Sequence, residues 1–267
     1  MTTGLAYRHH RVQRLRRLAA RPSARSAERA FVVEGAKVLG EALDAGVHVE
    51  AVYAAPGAPA DLLERAAGAG ARVLDLAPGV LERVAGTVTP QPVIAVVPYV
   101  DVGIDELGGA DLVVVCVDVR DPGNLGTVLR SAEAAGAGGV VCCDGSVDVY
   151  NPKAVRASAG SLFHLPVVAG GDPAAVLARL GGWGLRRLGA VARHGLDYAA
   201  VDLTGPTALV LGNEAAGLPG ELAGGGLLDA RVSIPMTGRA ESLNVGMAAA
   251  VLCFEAARQR RSAPVGA

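Results

Sequence analysis

The stretch Leu112-Val113-Val114-Val115-Cys116-Val117-Asp118-Val119-Arg120-Asp121-Pro122-Gly123-Asn124-Leu125-Gly126 decides the fold. Its opening is an apolar run with no alternation, as expected of a strand buried on both faces of a parallel sheet. Asp121-Pro122-Gly123 then reads as a turn and Asn124 as a helix N-cap. The helix expected over 127–135 buries Val128, Leu129, Ala132 and Ala135 and leaves Arg130 off that stripe. Two later stretches repeat the arrangement. Leu211-Gly212-Asn213-Glu214-Ala215-Ala216-Gly217-Leu218 closes the apolar run 208–211, and Ile234-Pro235-Met236 closes 232–234 and leads to Glu241-Ser242-Leu243-Asn244-Val245-Gly246. Each places Asn, Glu, Ser or Arg where the chain leaves a strand. Ligands of open α/β sheets bind at those strand ends, so the three loops predict one composite site.

Around these stretches the pattern is α/β. Strands are expected at 112–119, 140–143, 165–168, 188–192, 208–211 and 232–234, with helices at 127–135, 152–157, 173–180 and 243–258. Ser242 reads as the N-cap of the last helix. Leu243, Val245, Met247, Val251, Leu252 and Phe254 leave that helix little polar face, which predicts deep burial. Ahead of this region, residues 30–98 alternate short strands (31–33, 49–54, 72–76, 93–97) with helices (35–45, 60–67, 78–84), enough for a small αβ domain. Residues 99–109, rich in Gly and acids, read as a linker, 110–261 as the main domain and 262–267 as a disordered tail. Residues 1–29 read as a basic arm, with a helix through 11–20 that places Val12, Leu15 and Leu18 or Ala19 on one face and Arg on the others. Between Arg8 and Arg29 there are eight arginines against the single acid Glu28, in a chain of formal charge −1. Charge concentrated on one element favours phosphate contacts, while a solvated helix face explains it equally well.

Composition narrows the function classes. Apolar residues make up 51% and aromatics 3%, so the core is built from Val, Leu and Ala. No apolar run reaches the ~18–20 residues of a membrane helix, and the basic N-terminus is not followed by an apolar core with a cleavage site. The cytoplasm is the expected location. Cys116, Cys142, Cys143 and Cys253 lack zinc-ligand spacing and read as small buried hydrophobes. The histidines (9, 10, 48, 164, 194) are scattered, and no metal is expected. Neither G-x-G-x-x-G after a strand nor G-x-x-x-x-G-K-[ST] occurs, which argues against an NAD-dependent oxidoreductase and a P-loop enzyme.

The three stretches in this order resemble the SpoU (TrmH-like) family of RNA ribose methyltransferases, within the SPOUT superfamily, over about residues 110–260. Asn124 with Arg130, Glu214, and Ser242 with Asn244 match the family's pattern, as does Asn151-Pro152-Lys153-Ala154-Val155-Arg156-Ala157-Ser158-Ala159-Gly160. Phe31-Val32-Val33-Glu34-Gly35 and Thr87-Val88-Thr89-Pro90-Gln91 resemble the ribosomal-protein-like substrate-binding domain that many members carry in front. Gly246, where Ser is frequent, and Ala192-Arg193, where a small residue is common, depart from the pattern, and both departures concern the cofactor pocket.

The resemblance implies a C-terminal trefoil-knotted parallel-sheet methyltransferase domain, a homodimer with the site at its interface, and S-adenosylmethionine held by Ala192, Leu211, Gly212, Ile234, Met236, Leu243 and Asn244. It implies RNA contacts at Arg130, Lys153, Arg156 and Ser158, and a catalytic set of Arg130, Asn124, Glu214, Ser242 and Asn244. In that set Arg130 acts as a base or, as a guanidinium pKa above ~12 favours, as a charged stabiliser of the alkoxide. The expected substrate is large-subunit ribosomal RNA. The alternatives are a transfer-RNA ribose methyltransferase and a non-catalytic RNA-binding protein, the second of which has no use for Asn124, Arg130, Ser242 and Asn244 together.

Overall fold

A computed structural model describes residues 4–85 and 89–262. By its contacts the chain forms two units, Met1–Val100 with Tyr150–His164, and Asp101–Val149 with Leu165–Ala267. Thr87-Val88 and residues 263–267, for which a family motif and a disordered tail are expected, lie outside the described residues.

The first unit runs α1 (His10–Ala20), α2 (Pro22–Glu28), β1 (Ala30–Glu34), α3 (Ala36–Asp44), β2 (Ala51–Ala54), α4 (Ala60–Gly68), β3 (Arg72–Asp75), α5 (Val80–Val84) and β4 (Val93–Pro98). Its sheet has the order β1-β4-β2-β3, with β2 and β3 parallel and the other pairs antiparallel. Val32, Tyr53, Ile94 and Val96 from the strands share one core with Val12, Leu15 and Leu18 of α1.

That packing corrects the expectation of a separate arm. Val12, Leu15 and Leu18 recur at helical spacing, and each is 0% exposed. The segment therefore docks by its apolar stripe. Several arginines are consumed by the fold: Arg14 binds Glu50 through Nη1 (2.6 Å) and also Glu28, and the buried Arg25 donates to the Leu18 carbonyl at 2.8 Å.

In the second unit β5 (Leu112–Cys116) leads through α6 (Pro122–Ala134) to β6 (Gly139–Cys142). The chain then contributes α7 (Pro152–Ser158) to the first unit before returning. There follow β7 (Val167–Ala169), α8 (Pro173–Gly182), β8 (Arg186–Ala190), the two-residue β9 (Leu196–Asp197), β10 (Thr207–Leu211), α9 (Gly220–Gly224), β11 (Ala230–Ser233) and α10 (Val245–Ser262). The sheet order is β7-β6-β5-β10-β8-β11-β9, and every neighbouring pair is parallel. From β5 the chain steps outward to β6 and β7, whereas β10 lies on the other side of β5. The order therefore switches between β5 and β10, where Leu211 is in register with Cys116.

Two segments differ from expectation. Tyr150–His164, expected inside the main domain, belongs to the first unit: the Tyr150 ring lies 4.7 Å from that of Phe31, and Arg156 pairs with Glu34. Residues 99–109, expected as a linker, are built into structure. Val102 N donates to Val167 O at 2.9 Å, and Leu107, in a 3-10 turn at Ile104–Leu107, is 1% exposed.

The four cysteines are free and buried. Cys116 and Cys142 are register partners on β5 and β6. Burial pushes the Cys143 and Cys253 thiols up to about 12. No helix among the described residues is long and apolar enough to cross a membrane.

Candidate active site

All the loops of interest leave the sheet at its carboxyl edge. After β5, Asp118 takes a left-handed backbone conformation (φ 55°), and the Asp121 carboxylate caps α6 by accepting from Asn124 N at 2.9 Å. Asp121, not Asn124, is therefore the N-cap, because Pro122 occupies the first helical position, where its missing N–H costs nothing. With Asp121 as the cap, the Asn124 side chain is available for other partners. Its Nδ2 donates to Glu214 Oε1 at 3.0 Å, and its Oδ1 accepts from Asn244 Nδ2 at 2.8 Å.

The loop after β10 presents Glu214. Asn213 and Gly217 exchange backbone hydrogen bonds of 3.0 and 2.9 Å. Within that turn Asn213 Oδ1 accepts from Ala215 N and Ala216 N, while its Nδ2 donates to Asp118 O at 2.9 Å. A Cβ on Gly212 would stand 2.4 Å from the Gly217 carbonyl carbon, so only glycine fits. Glu214 is held against the first loop and accepts from Arg120 N (3.1 Å), Asp121 N (3.0 Å) and Asn124. Burial works to raise its pKa, but the hydrogen bonds from Asn124, Asp121 N and Arg120 N outweigh it and hold the carboxyl below its ordinary value.

The third loop ends at Asn244, whose Oδ1 accepts from Gly246 N at 2.9 Å and Met247 N at 3.4 Å. Asn244 thus caps α10, and Ser242, expected in that role, stands outside the helix. Gly246 lets α10 approach α6 closely, since a Cβ there would meet Thr127 Cβ at 2.9 Å. The expectation that α10 is deeply buried holds for one face only. Gly246, Ala249, Leu252, Cys253, Ala256 and Ala257 are buried, but Met247 is 60% and Phe254 46% exposed.

Beside this bridge lies a cleft of about 440 Å³, within the usual ~300–1,000 Å³ of small-molecule sites. Ala192, Leu211, Gly212, Ile234, Met236 and Leu243 line it, with Glu214 and Ser242. Apolar walls, close backbone at Gly212 and one carboxylate suit a flat adenine joined to a cationic sulfonium. Asn244 does not line the cleft; its amide is committed to Asn124 and the cap. A second cavity of about 540 Å³ shares Ala192, Ile234 and Met236 with the first.

The remaining expected residues divide. Arg130 is exposed on α6 and makes no hydrogen bond or ion pair with the other site residues. Lys153 is exposed on α7. Arg156 and Ser158 do not fit an RNA contact: Arg156 Nη1 binds the buried Glu34 at 2.9 Å, and Ser158, 0% exposed, donates to Val155 O at 2.7 Å. Sequence reasoning gave no role to Asn213, which builds the Glu214 turn. Its signal was present in an Asn beside Gly212, a residue type that bonds its own backbone two residues on.

A parallel sheet whose switch point gathers three hydrogen-bonded polar loops over an apolar cleft defines an α/β enzyme with a nucleoside-sized site. Residues 111–254 match the SpoU rRNA methylase family, and residues 9–95 match the MRM3-like substrate binding domain. The chain belongs to the SpoU rRNA methylase family. It is 34% identical over 226 residues to the 23S rRNA (guanosine(2553)-2'-O)-methyltransferase RlmP of Bacillus subtilis, covering 84% of this chain and 87% of that protein. It is 44% identical over 146 residues to the 23S rRNA (uridine(2479)-2'-O)-methyltransferase of Streptomyces viridochromogenes, which is 53% of this chain and only 50% of that relative's length. Among solved structures, the SpoU methyltransferase AviRb from Streptomyces viridochromogenes in complex with AdoMet superposes with a TM-score of 0.84 at 32% identity, over 96% of this chain and 100% of that one.

Proposed function

We propose that the protein transfers a methyl group from S-adenosylmethionine to a ribose 2'-hydroxyl of large-subunit ribosomal RNA. The observation that carries this reading is the Glu214–Asn124–Asn244 bridge, which joins all three loops beside the apolar cleft. Bound in the cleft, the cofactor supplies an electrophilic methyl on a sulfonium. Leu211, Ile234, Met236 and Leu243 exclude water from its adenosine, and Gly212 lets the backbone approach it. Glu214 and Asn124 hold the loop geometry, and Ser242 at the cleft edge orients the ribose. Arg130 stays charged and stabilises the alkoxide as its proton leaves, together with a neighbouring phosphate. The O–CH₃ bond would form as the sulfonium S–CH₃ bond breaks, the demethylated cofactor leaving as a neutral thioether and the 2'-proton passing to water, and none of this requires a metal.

The same reading includes a homodimer, a trefoil knot in the second unit and a cytoplasmic location. The exposed Met247 and Phe254, seven residues apart on one face of α10, support the dimer, since an apolar helix face favours burial against a second copy. Family membership supports the knot. Ribosomal rather than transfer RNA is favoured by the substrate-binding unit in front of the catalytic one and by the activities named for the two relatives above. The test is calorimetry with S-adenosylmethionine and its demethylated product. Binding of both, with no binding of NAD or ATP, is expected; no binding of either overturns the reading.

A further inference from the structure

The arginines of the N-terminal segment are not equivalent. Arg14 is compensated by Glu28 and Glu50, Arg17 reaches Glu28 at 3.7 Å, Arg25 is buried, and Arg29 lies over the Tyr99 ring. Arg16 differs from these. Its Cζ lies 5.9 Å from the centroid of the Tyr7 ring, and Arg83 of α5 lies over the same ring at 3.6 Å. Both arginines are exposed, and neither has a carboxylate partner among the described residues.

The backbone builds this arrangement. Leu5 pairs with Leu76 beyond the end of β3, through Leu5 N to Asp75 O (2.7 Å) and Ala77 N to Leu5 O (3.1 Å), which brings Tyr7 alongside α5. From α1, Gln13 Nε2 donates to Tyr7 O at 2.6 Å, and Gln13 Oε1 accepts from Arg16 at 3.4 Å. Two like charges drawn to one ring repel each other, and among the described residues no acid forms an ion pair with either, unlike Arg14 on the same helix. A guanidinium held against an aromatic face spends none of its N–H donors there, and beyond the one Arg16 Nη1 bond to Gln13 those donors remain for phosphate.

We infer that Arg16 and Arg83, held on Tyr7, form an anion-binding ridge on the first unit that takes phosphodiesters of the RNA substrate. The inference rests on the RNA reading of the proposed function and adds where on the first unit the RNA is held. It also replaces the idea that the whole N-terminal segment serves as a basic arm.

The experiment is filter binding of an in vitro transcript of large-subunit ribosomal RNA over a series of KCl concentrations. The Arg16→Ala/Arg83→Ala double variant should bind more weakly. Its slope of log K against log salt should be shallower by about 1.4, from about 0.7 for each single-strand phosphate that is no longer neutralised. Tyr7→Phe should bind as the unaltered protein does, and Tyr7→Ala should lose affinity. Arg14→Ala, which breaks two ion pairs, should lower Tm and leave the salt slope unchanged. Calorimetry should show cofactor affinity unaltered in the double variant. An unchanged salt slope in the folded double variant overturns the inference, and so does an equal loss of slope in Arg14→Ala. Unaltered protein that binds the transcript but not the cofactor fails the methyltransferase reading and leaves the ridge standing.

Discussion

Asn124 Oδ1 accepts the amide hydrogen of Asn244 at 2.8 Å, joining the start of α6 to the start of α10 across 120 positions of sequence. The same Asn124 donates to Glu214, so one side chain ties the loops that follow β5, β10 and β11. A hydrogen-bonded relay of this kind fixes its members together, and cutting one link loosens the others.

Glu214→Ala removes the acceptor for Arg120 N, Asp121 N and Asn124. Solvent screens this exposed group, so the expected loss is modest, about 1–2 kcal/mol, together with weaker cofactor binding. Glu214→Gln keeps part of the acceptor set and should cost less. The pH dependence follows from the lowered folded-state pKa. The carboxylate's contribution is fully present above its ordinary value of 4.5 and is lost as pH falls through the lower folded value. Thermal melts of both variants from pH 3 to 7 check this: the difference between unaltered protein and Glu214→Ala should shrink only below about pH 4.5.

Gly212→Ala would place a methyl group 2.4 Å from the Gly217 backbone. Forced repacking of this kind costs about 1–3 kcal/mol. The Asn213–Gly217 turn should open, and calorimetry should find cofactor binding lost while circular dichroism shows the sheet retained.

Arg130→Ala should lower the rate of methyl transfer by roughly 10²–10³-fold, the usual consequence of removing one preorganised electrostatic group. Cofactor affinity should not change, because Arg130 does not line the cleft. Arg130→Lys should remain poor, since a point charge does not replace a planar fork of donors. Single-turnover rates with saturating RNA are the readout, and near-normal rates for Arg130→Ala contradict the assigned role.

The dimer reading is open to a direct check. Met247→Glu/Phe254→Glu places two charges on the exposed face of α10 and touches no buried position. Sedimentation should show the unaltered chain as a dimer and the variant as a folded monomer. A monomeric unaltered chain contradicts the reading.

The sheet of the second unit was legible because parallel strands buried on both faces read as unbroken apolar runs; Val113, Val114, Val115 and Cys116 are each 0% exposed. The polar loops were legible for the same reason, as Asn124, Glu214 and Asn244 interrupt that background. Cap identity was not. Asp121 and Asn124, or Ser242 and Asn244, are equally good caps by residue type, and loop geometry chooses between them. The contacts that Tyr150–His164 makes with the first unit were not legible, because their partners Phe31 and Glu34 lie more than a hundred residues away. In the N-terminal segment the Val12, Leu15, Leu18 stripe was legible at helical spacing and sets where α1 docks, whereas the identity of the strands it docks on, distant in sequence, was not. The two-residue β9 and the short helices α2 and α9 carry too little periodicity to detect.

Methyl transfer itself can be measured directly. The most direct measurement offers the protein S-adenosylmethionine carrying a tritiated methyl group, together with an in vitro transcript of large-subunit ribosomal RNA and, separately, bulk transfer RNA. The ribosomal transcript should take up label, and alkaline hydrolysis should leave that label in an alkali-stable dinucleotide, because a 2'-O-methyl group blocks cleavage at its own phosphodiester. Label released as a methylated base, or no label in either RNA from protein shown to bind the cofactor, contradicts the account.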